Sequence, residues 1–208
     1  SLTLVEGQSD SGKSVVSQHF TSGALRAVLG VAYYTSEDTV KSLIRQMASL
    51  GMEVLDYFLA DRLRIYPLAF PSESKNPEVP SRNLVQHIAT LPESFGVIIV
   101  DSVTNLVVHS DEAKIIDFFS TAKALCERGR TVFLVVHSAA FSENMRIRVR
   151  SLCDAHFRLH LEQIGERLVK VLEVSKVRNA DRNTGNIISF DVEPGLGMHI
   201  IPISKAKA

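Results

Sequence analysis

The eight residues Gly7-Gln-Ser-Asp-Ser-Gly12-Lys13-Ser14 constrain this chain more than any other feature. Two glycines with four residues between them, followed by a lysine and a hydroxyl, make a loop whose backbone N–H groups can wrap a row of phosphate oxygens. The helix that leaves such a loop directs the positive end of its dipole at the same oxygens. Lys13 adds a point charge, and the Ser14 hydroxyl is a candidate Mg²⁺ ligand. Asp10, Ser11 and Val15 complete the stretch expected to surround the phosphates. The spacing can arise by chance in a turn rich in Gly and Ser, so context decides. Leu2-Thr-Leu-Val5 is a short apolar run, read as a buried strand, and from Lys13 to Leu29 the residues Val16, Phe20, Ala24 and Val28 recur at helical spacing. A strand entering the loop and a helix leaving it are the setting this chemistry requires.

The rest of the chain continues the alternation. Val31 to Thr35, Leu63 to Leu68, Gly96 to Ser102 and Thr131 to His137 read as strands, the last two fully apolar until their ends. Between them Lys13 to Leu29 (closed by Gly30), Thr39 to Leu50 (stopped by Gly51), Ser81 to Leu91 and Asp111 to Arg128 read as helices, with Ser81 a candidate N-cap. Phe70 to Pro80 carries three of the seven prolines and reads as a surface loop. Apolar strands without in-out alternation, separated by helices, predict an α/β fold with a mostly parallel central sheet and helices on both faces. After Ser151 the pattern changes. Asp154 to Glu162, Leu168 to Lys176, Gly185 to Val192 and Met198 to Ile203 are strands joined by short polar turns, an antiparallel C-terminal edge to the same sheet. No repeat or linker divides residues 1–208, so one domain is expected. The chain starts directly on its central strand, and the expectation is that the natural domain continues upstream of Ser1.

Four further places carry chemistry. Val97-Ile-Ile-Val-Asp101 is a buried strand that delivers a carboxylate to its C-terminal end, where it can hold a metal-bound water beside Ser14. Glu37 ends the second strand on the same edge and is a candidate base for orienting an attacking water, with Asp38 next to it; acidic residues before a helix also serve as caps. His137 ends the strand after Asp101, in reach of a terminal phosphate or the water. Lys176-Val-Arg178 places two cations on one face of a strand end. Such a pair can be a solvated end, or it can reach the phosphates of a neighbouring subunit.

Composition narrows the partners. Lys plus Arg and Asp plus Glu are each 23, so there is no basic excess of the kind that marks a nucleic-acid grip. Arg146, Arg148 and Arg150, at spacing two in what reads as a loop from Phe141 to Arg150, are the residues that could contact DNA, or equally a solvated face or a subunit contact. The two cysteines, Cys126 and Cys153, have no metal-ligand spacing and read as reduced thiols. No apolar run approaches the roughly 20 residues that would span a bilayer.

Taken together, Gly7 to Ser14, Val97 to Ser102, Ser175-Lys-Val-Arg-Asn-Ala180 and Ile188-Ser-Phe-Asp-Val-Glu-Pro-Gly-Leu-Gly197 resemble the RecA-like P-loop ATPases of the KaiC group, and most closely its archaellum accessory branch. The resemblance covers nearly the whole chain. It implies ATP and Mg²⁺ as cofactors, a homo-hexameric ring with nucleotide at the seams, and Lys176 and Arg178 acting across a seam. It implies Glu37 and Asp38 as the acidic pair, although the second position of that pair is normally Glu. It further implies a regulatory role at the cytoplasmic base of the archaellum, through nucleotide-dependent binding to the motor ATPase and the membrane platform protein, with slow hydrolysis. Nucleic acid and direct membrane insertion are not expected. Two other readings share the core. One is a DNA-dependent recombination ATPase. The other is a KaiC-like autokinase, for which Thr35, Ser36 and Thr39 are the nearby hydroxyls.

Overall fold

The computed structural model describes residues 1–68, 78–164, 167–178 and 186–201. Strand β1 (Leu2–Gly7) is buried along its whole length and takes the middle of a nine-stranded sheet among the described residues. On one side lie, in order outward, β5 (Thr131–His137), β4 (Val97–Asp101), β2 (Val31–Thr35) and β3 (Leu63–Pro67). On the other side come β6 (Ala155–Ile164), β7 (Arg167–Val177), β8 (Ile187–Glu193) and β9 (Gly197–Ile201). Neighbours from β3 through to β6 run parallel, and those from β6 to β9 antiparallel. The expected parallel core with an antiparallel edge is therefore what the chain forms.

Successive side chains of a strand point to opposite faces, and a sheet covered on both faces needs both sets apolar. Ile98 and Val100 pack with Leu4, Leu134 and Phe119 under helices α4 (Glu78–Thr90), α6 (Glu112–Glu127) and α7 (Glu143–Leu152). Val97 and Ile99 pack with Tyr33, Leu43 and Met47 under α1 (Lys13–Arg26) and α2 (Val40–Ser49). A third cluster, with Val16, Leu159, Leu172 and Phe190, continues the α1 face beneath the antiparallel strands. Short helices α3 (Leu55–Leu59) and α5 (Thr104–Val108) and a 3₁₀ turn at Ser138–Ala140 complete the described elements.

Several boundaries differ from expectation. Helix α1 stops at Arg26 rather than Leu29, because Val28 adopts a left-handed backbone (φ 65). Val28 N–H bonds Leu25 O and Leu29 N–H bonds Ala24 O, a Schellman closure with a valine where glycine is usual. Gly30 does not cap the helix. Its backbone passes so close to Ser94 that an added Cβ would lie 2.4 Å from Ser94 O. Helix α4 begins at Glu78, so Ser81 is not its N-cap, and Pro80 sits inside the first turn, where its missing N–H costs no hydrogen bond. The rest of the expected Phe70 to Pro80 loop lies outside the described residues. The expected loop from Phe141 to Arg150 is mostly α7, capped by Ser142, whose side chain accepts from Met145 N–H at 3.2 Å. Strands β8 and β9 are described only to Ile187 and Ile201; Gly185, Pro202 and Ile203 fall outside.

One irregularity matters for the charges on β7. Phe157 faces Val174 while its neighbour His156 faces Lys176, so Ser175 is an extra residue, a β-bulge. Without it Lys170 and Lys176, six apart, would share a face. With it they do not.

Candidate functional site

The parallel strands end on one edge. Gly7 pairs with His137, Thr35 pairs with Asp101, and Asp101 pairs with Val135, so β1, β2, β4 and β5 bring their last residues to a common crevice. Ligands of open α/β sheets bind at that edge.

Gly7 begins the phosphate loop, and a Cβ there would lie 2.5 Å from Ser11 Oγ and 2.6 Å from Leu159 O. Gly12 caps α1 with a left-handed backbone (φ 91) and no side-chain hydrogen bond. A side chain at Gly12 would also meet the Phe190 ring at 3.0 Å. Both glycines are therefore demanded by space, and α1 presents its first N–H groups without a side-chain cap, as an anion site does. Ser11 is buried and holds the loop together, its Oγ donating to Gln8 O at 2.7 Å. Lys13 Nζ donates to the same carbonyl at 2.7 Å, so the cation folds back over its own loop. Burial pulls the Lys13 amine below its ordinary pKa, opposed by the nearby charges of Asp101, Glu37 and Asp10.

Asp101 emerges half-buried at the end of β4 and accepts from Tyr33 Oη at 2.8 Å, with the Ser14 hydroxyl on the same side of the crevice. Burial pushes its carboxyl up, the hydrogen bonds from Tyr33 and Ser14 pull it down, and Glu37 adds repulsion; the net shift is upward. Its peptide bond to Ser102 is cis. Ser36 braces this corner: its N–H donates to Asp101 O at 2.9 Å and its Oγ accepts from Ser102 N–H at 3.0 Å.

Glu37 is exposed and lines the crevice, but Asp38 turns into the first turn of α2, where it accepts from Ser42 Oγ at 2.8 Å. The cap of α2 is Thr39, which accepts from Ser42 N–H. Thr35 Oγ1 accepts from the N–H groups of Glu37 and Asp38. Each hydroxyl weighed as a phosphoryl acceptor thus has a structural partner.

His137 places its ring against the loop. Ser9 N–H lies 3.2 Å from Nε2 and Ala139 N–H lies 3.1 Å from Nδ1. A neutral imidazole has one acceptor nitrogen, so the two donors compete for it.

The crevice encloses about 560 Å³, within the range of small-molecule sites. Asp10, Gly12, Lys13, Ser14, Val15, Glu37, Asp101 and His137 line it, as the sequence reading expected. Thr104, Asn105, Lys170 and Val192 line it too, and these the sequence reading missed. Lys170 reaches across from β7: its Cδ lies 3.4 Å from where a Cβ on Gly12 would be, and its Nζ is 3.6 Å from Asp191 Oδ1.

Lys176 and Arg178 do not reach this crevice. They lie beside the start of β6, at the opposite edge of the sheet, on the α7 face. Lys176 Nζ donates to Arg150 O at 2.9 Å and Cys153 O at 2.7 Å, and Arg178 Nη2 donates to Ser151 O at 2.9 Å. Both therefore satisfy carbonyls at the C-terminal end of α7, which favours cations there.

The three arginines weighed as DNA contacts are also committed. Spacing of two on a helix does not make one face; 146 and 150, four apart, share one, and 148 lies elsewhere. Arg150 Nη2 is 3.0 Å and Arg146 Nε 3.1 Å from the carboxylate of Glu6, and Arg148 pairs with Glu112 at 3.3 Å.

Two glycines required by close contact, an uncapped helix N-terminus, and a hydroxyl and a carboxylate lining one crevice suit a nucleoside phosphate with Mg²⁺. Among the described residues no cluster of three or more His, Cys, Asp or Glu could hold a metal by itself. Mg²⁺ takes one or two protein oxygens and completes its shell from water and phosphate, and the oxygens of Ser14 and Asp101 fit that need. The sheet order and the loop together define a RecA-like P-loop fold.

The family described as ATPase, KaiC matches residues 1–205. The archaeal flagellar ATP-binding protein FlaH of Sulfolobus acidocaldarius is 30% identical over 208 residues, covering 99% of this chain and 90% of its own. That of Methanocaldococcus jannaschii is 24% identical over 204 residues, covering 96% and 86%. The crystal structure of the flagellar accessory protein FlaH from M. jannaschii superposes with a TM-score of 0.85 at 24% identity, over 97% of this chain and 89% of that one. A KaiC-like protein of Pyrococcus horikoshii OT3 gives 0.77 at 18%, with the same coverage. The chain belongs to the KaiC family of ATPases and, within it, to the FlaH group. Among the described residues no helix is long and apolar enough to cross a membrane.

Proposed function

We propose that this chain is an ATP-binding component of the archaellum, a nucleotide-gated assembly subunit rather than a fast enzyme. The observation that carries the reading is the single crevice in which Gly12, Lys13, Ser14, Glu37, Asp101 and His137 meet. The backbone N–H groups of the loop and of the first turn of α1 hold the phosphates, and Lys13 exchanges Gln8 O for a phosphate oxygen. Ser14, and Asp101 through bound water, would hold Mg²⁺, which supplies charge neutralisation on the phosphate oxygens when bound. Lys170 adds a cation from the far wall. Glu37 is placed to orient a water, while Asp38, engaged with Ser42, is not, which supports slow turnover.

Gating follows from linkage: a ligand that gains contacts only at an assembled seam drives assembly. Lys176 and Arg178 are the residues we assign to that seam, in a homo-hexameric ring. The similarity to flagellar ATP-binding FlaH proteins supports a place in the archaellum; within it we assign the protein to the cytoplasmic base, where it would bind the motor ATPase and the membrane platform protein according to nucleotide state. Light scattering with Mg-ATP, Mg-ADP and no nucleotide, run beside phosphate release, tests this. An ATP-dependent rise in mass with little phosphate released is expected. Equal mass in all three states would end the gating idea, and rapid turnover at constant mass would make the protein an enzyme in the ordinary sense.

A further inference from the structure

β1 and β5 separate immediately after the pair Gly7 and His137, one entering the phosphate loop and the other a short turn, Ser138–Ala140, that leads to α7. Strand ends that diverge have no ladder to fix their separation. Across this fork lies a buried charge cluster that the site chemistry does not use. Glu6, 1% exposed, is the residue before Gly7. Its Oε2 meets Arg150 Nη2 and His156 Nε2, each at 3.0 Å, and its Oε1 meets Arg146 Nε at 3.1 Å. The Arg146 contact is an ion pair without hydrogen-bond alignment at Nε. The other arm of Arg146 is aligned: Nη2 donates to Ser138 O at 2.9 Å.

These contacts close a ring. It runs from Glu6 through the loop to Ser9, across to the His137 ring, on to Ser138, and back through Arg146 to Glu6. We propose that Arg146 is a positioning residue that sets how far the His137 imidazole stands from the phosphate loop, and so how the site tells ATP from ADP. Its planar fork spreads its donors over three nitrogens, so that one side chain spans from a carboxylate to a carbonyl, whereas a lysine gathers its donors on a single nitrogen. The ring of His137 sits between two competing donors, Ser9 N–H and Ala139 N–H. Loosening Ser138 frees the neighbouring Ala139 first, leaving Nε2 as the acceptor for Ser9 and moving the ring proton to Nδ1.

This inference rests on the reading of the crevice as a nucleotide site, and the test separates the two. Arg146→Lys and Arg146→Gln would be compared with Arg148→Gln, on the same helix but paired outward to Glu112, and with His137→Ala. Nitrogen-15 NMR of the imidazole in the nucleotide-free protein reads the tautomer directly. Both Arg146 variants are expected to raise the Nδ1–H form, and Arg148→Gln to leave it unchanged. Calorimetry with Mg-ATP and Mg-ADP is expected to show the preference for ATP falling about tenfold in Arg146→Lys, the loss of one polar contact, with ADP affinity nearly unchanged. An unchanged His137 tautomer in Arg146→Lys, or equal losses for ATP and ADP, would overturn the proposal and leave Arg146 a structural ion pair. If His137→Ala keeps the preference for ATP while the Arg146 variants still shift the tautomer, the positional half stands and His137 is not the discriminating group. If no variant and not even the parent chain binds nucleotide, it is the site reading that fails.

Discussion

Asp101 is the residue at which folding and binding pull apart. Its carboxylate is raised by burial and by Glu37, so in the nucleotide-free protein its charge is a cost that Tyr33 and Ser14 only partly offset. Asp101→Asn keeps an acceptor for Tyr33 and removes the charge. Its melting temperature is expected to rise, while Mg²⁺-dependent nucleotide affinity falls by more than about tenfold in titration calorimetry. Glu6 behaves in the opposite sense. Burial raises its pKa, but the hydrogen bond from His156 and the charge of Arg150 outweigh that, and the net shift is downward from the ordinary 4.5. Its contribution is therefore complete above that pH and is lost as pH falls through the lower, folded value. Melting curves should lose stability below about pH 4.5, and Glu6→Gln should flatten that dependence at a cost of about 3 kcal/mol from the unpaired arginines. A Glu6→Gln protein that retains the parent's acid slope would assign the slope to another carboxylate.

At the scale of elements, the Schellman closure of α1 offers a clean test. Val28 is 77% exposed and loses little packing if truncated, yet it holds a left-handed backbone that a β-branched residue resists. Val28→Gly should stabilise the protein by about 0.5–1 kcal/mol in denaturant unfolding, the relief of that strain less the flexibility glycine adds. A loss of stability would mean that Val28 makes contacts its exposure hides. The same comparison shows what local sequence can carry. The strand, loop and helix around Gly12 lie within a single short stretch, so spacing and periodicity there are enough to make them legible. Helix α7 was missed because the alternation Arg-Ile-Arg-Val-Arg hides its period: Met145 and Val149, four apart, are buried and Leu152 packs beside them, while Ile147 stays 62% exposed. Ser81 was a plausible cap only because Pro80 looked like a loop residue. Lys170 was not legible at all, since its place over Gly12 depends on two hairpins and on the phase of β7.

For the whole molecule the open question is what Lys176 and Arg178 do when copies meet. Within one chain they already have work, satisfying the carbonyls of Arg150, Ser151 and Cys153 at the end of α7. A role across a seam would require them to leave those carbonyls or to share them. Lys176→Met with Arg178→Met should therefore lower the stability of the isolated subunit by about 2 kcal/mol, as charged hydrogen bonds do, and also abolish the ATP-dependent rise in mass. Loss of stability with the mass change intact would confine the pair to capping α7.

The extra residue at Ser175 gives β7 an arithmetic of its own. Because a strand addresses its two surfaces by odd and even positions, one residue added or removed between Lys170 and Lys176 swaps the destination of every side chain beyond it, whereas two restore it. The length of that stretch, counted modulo two, decides whether the cations beyond it stand on the α7 face of the sheet or on the α1 face. Substitutions there should be tolerated far better than a single-residue deletion, and a deletion of Ser175 alone should redirect both distal cations without changing any of them.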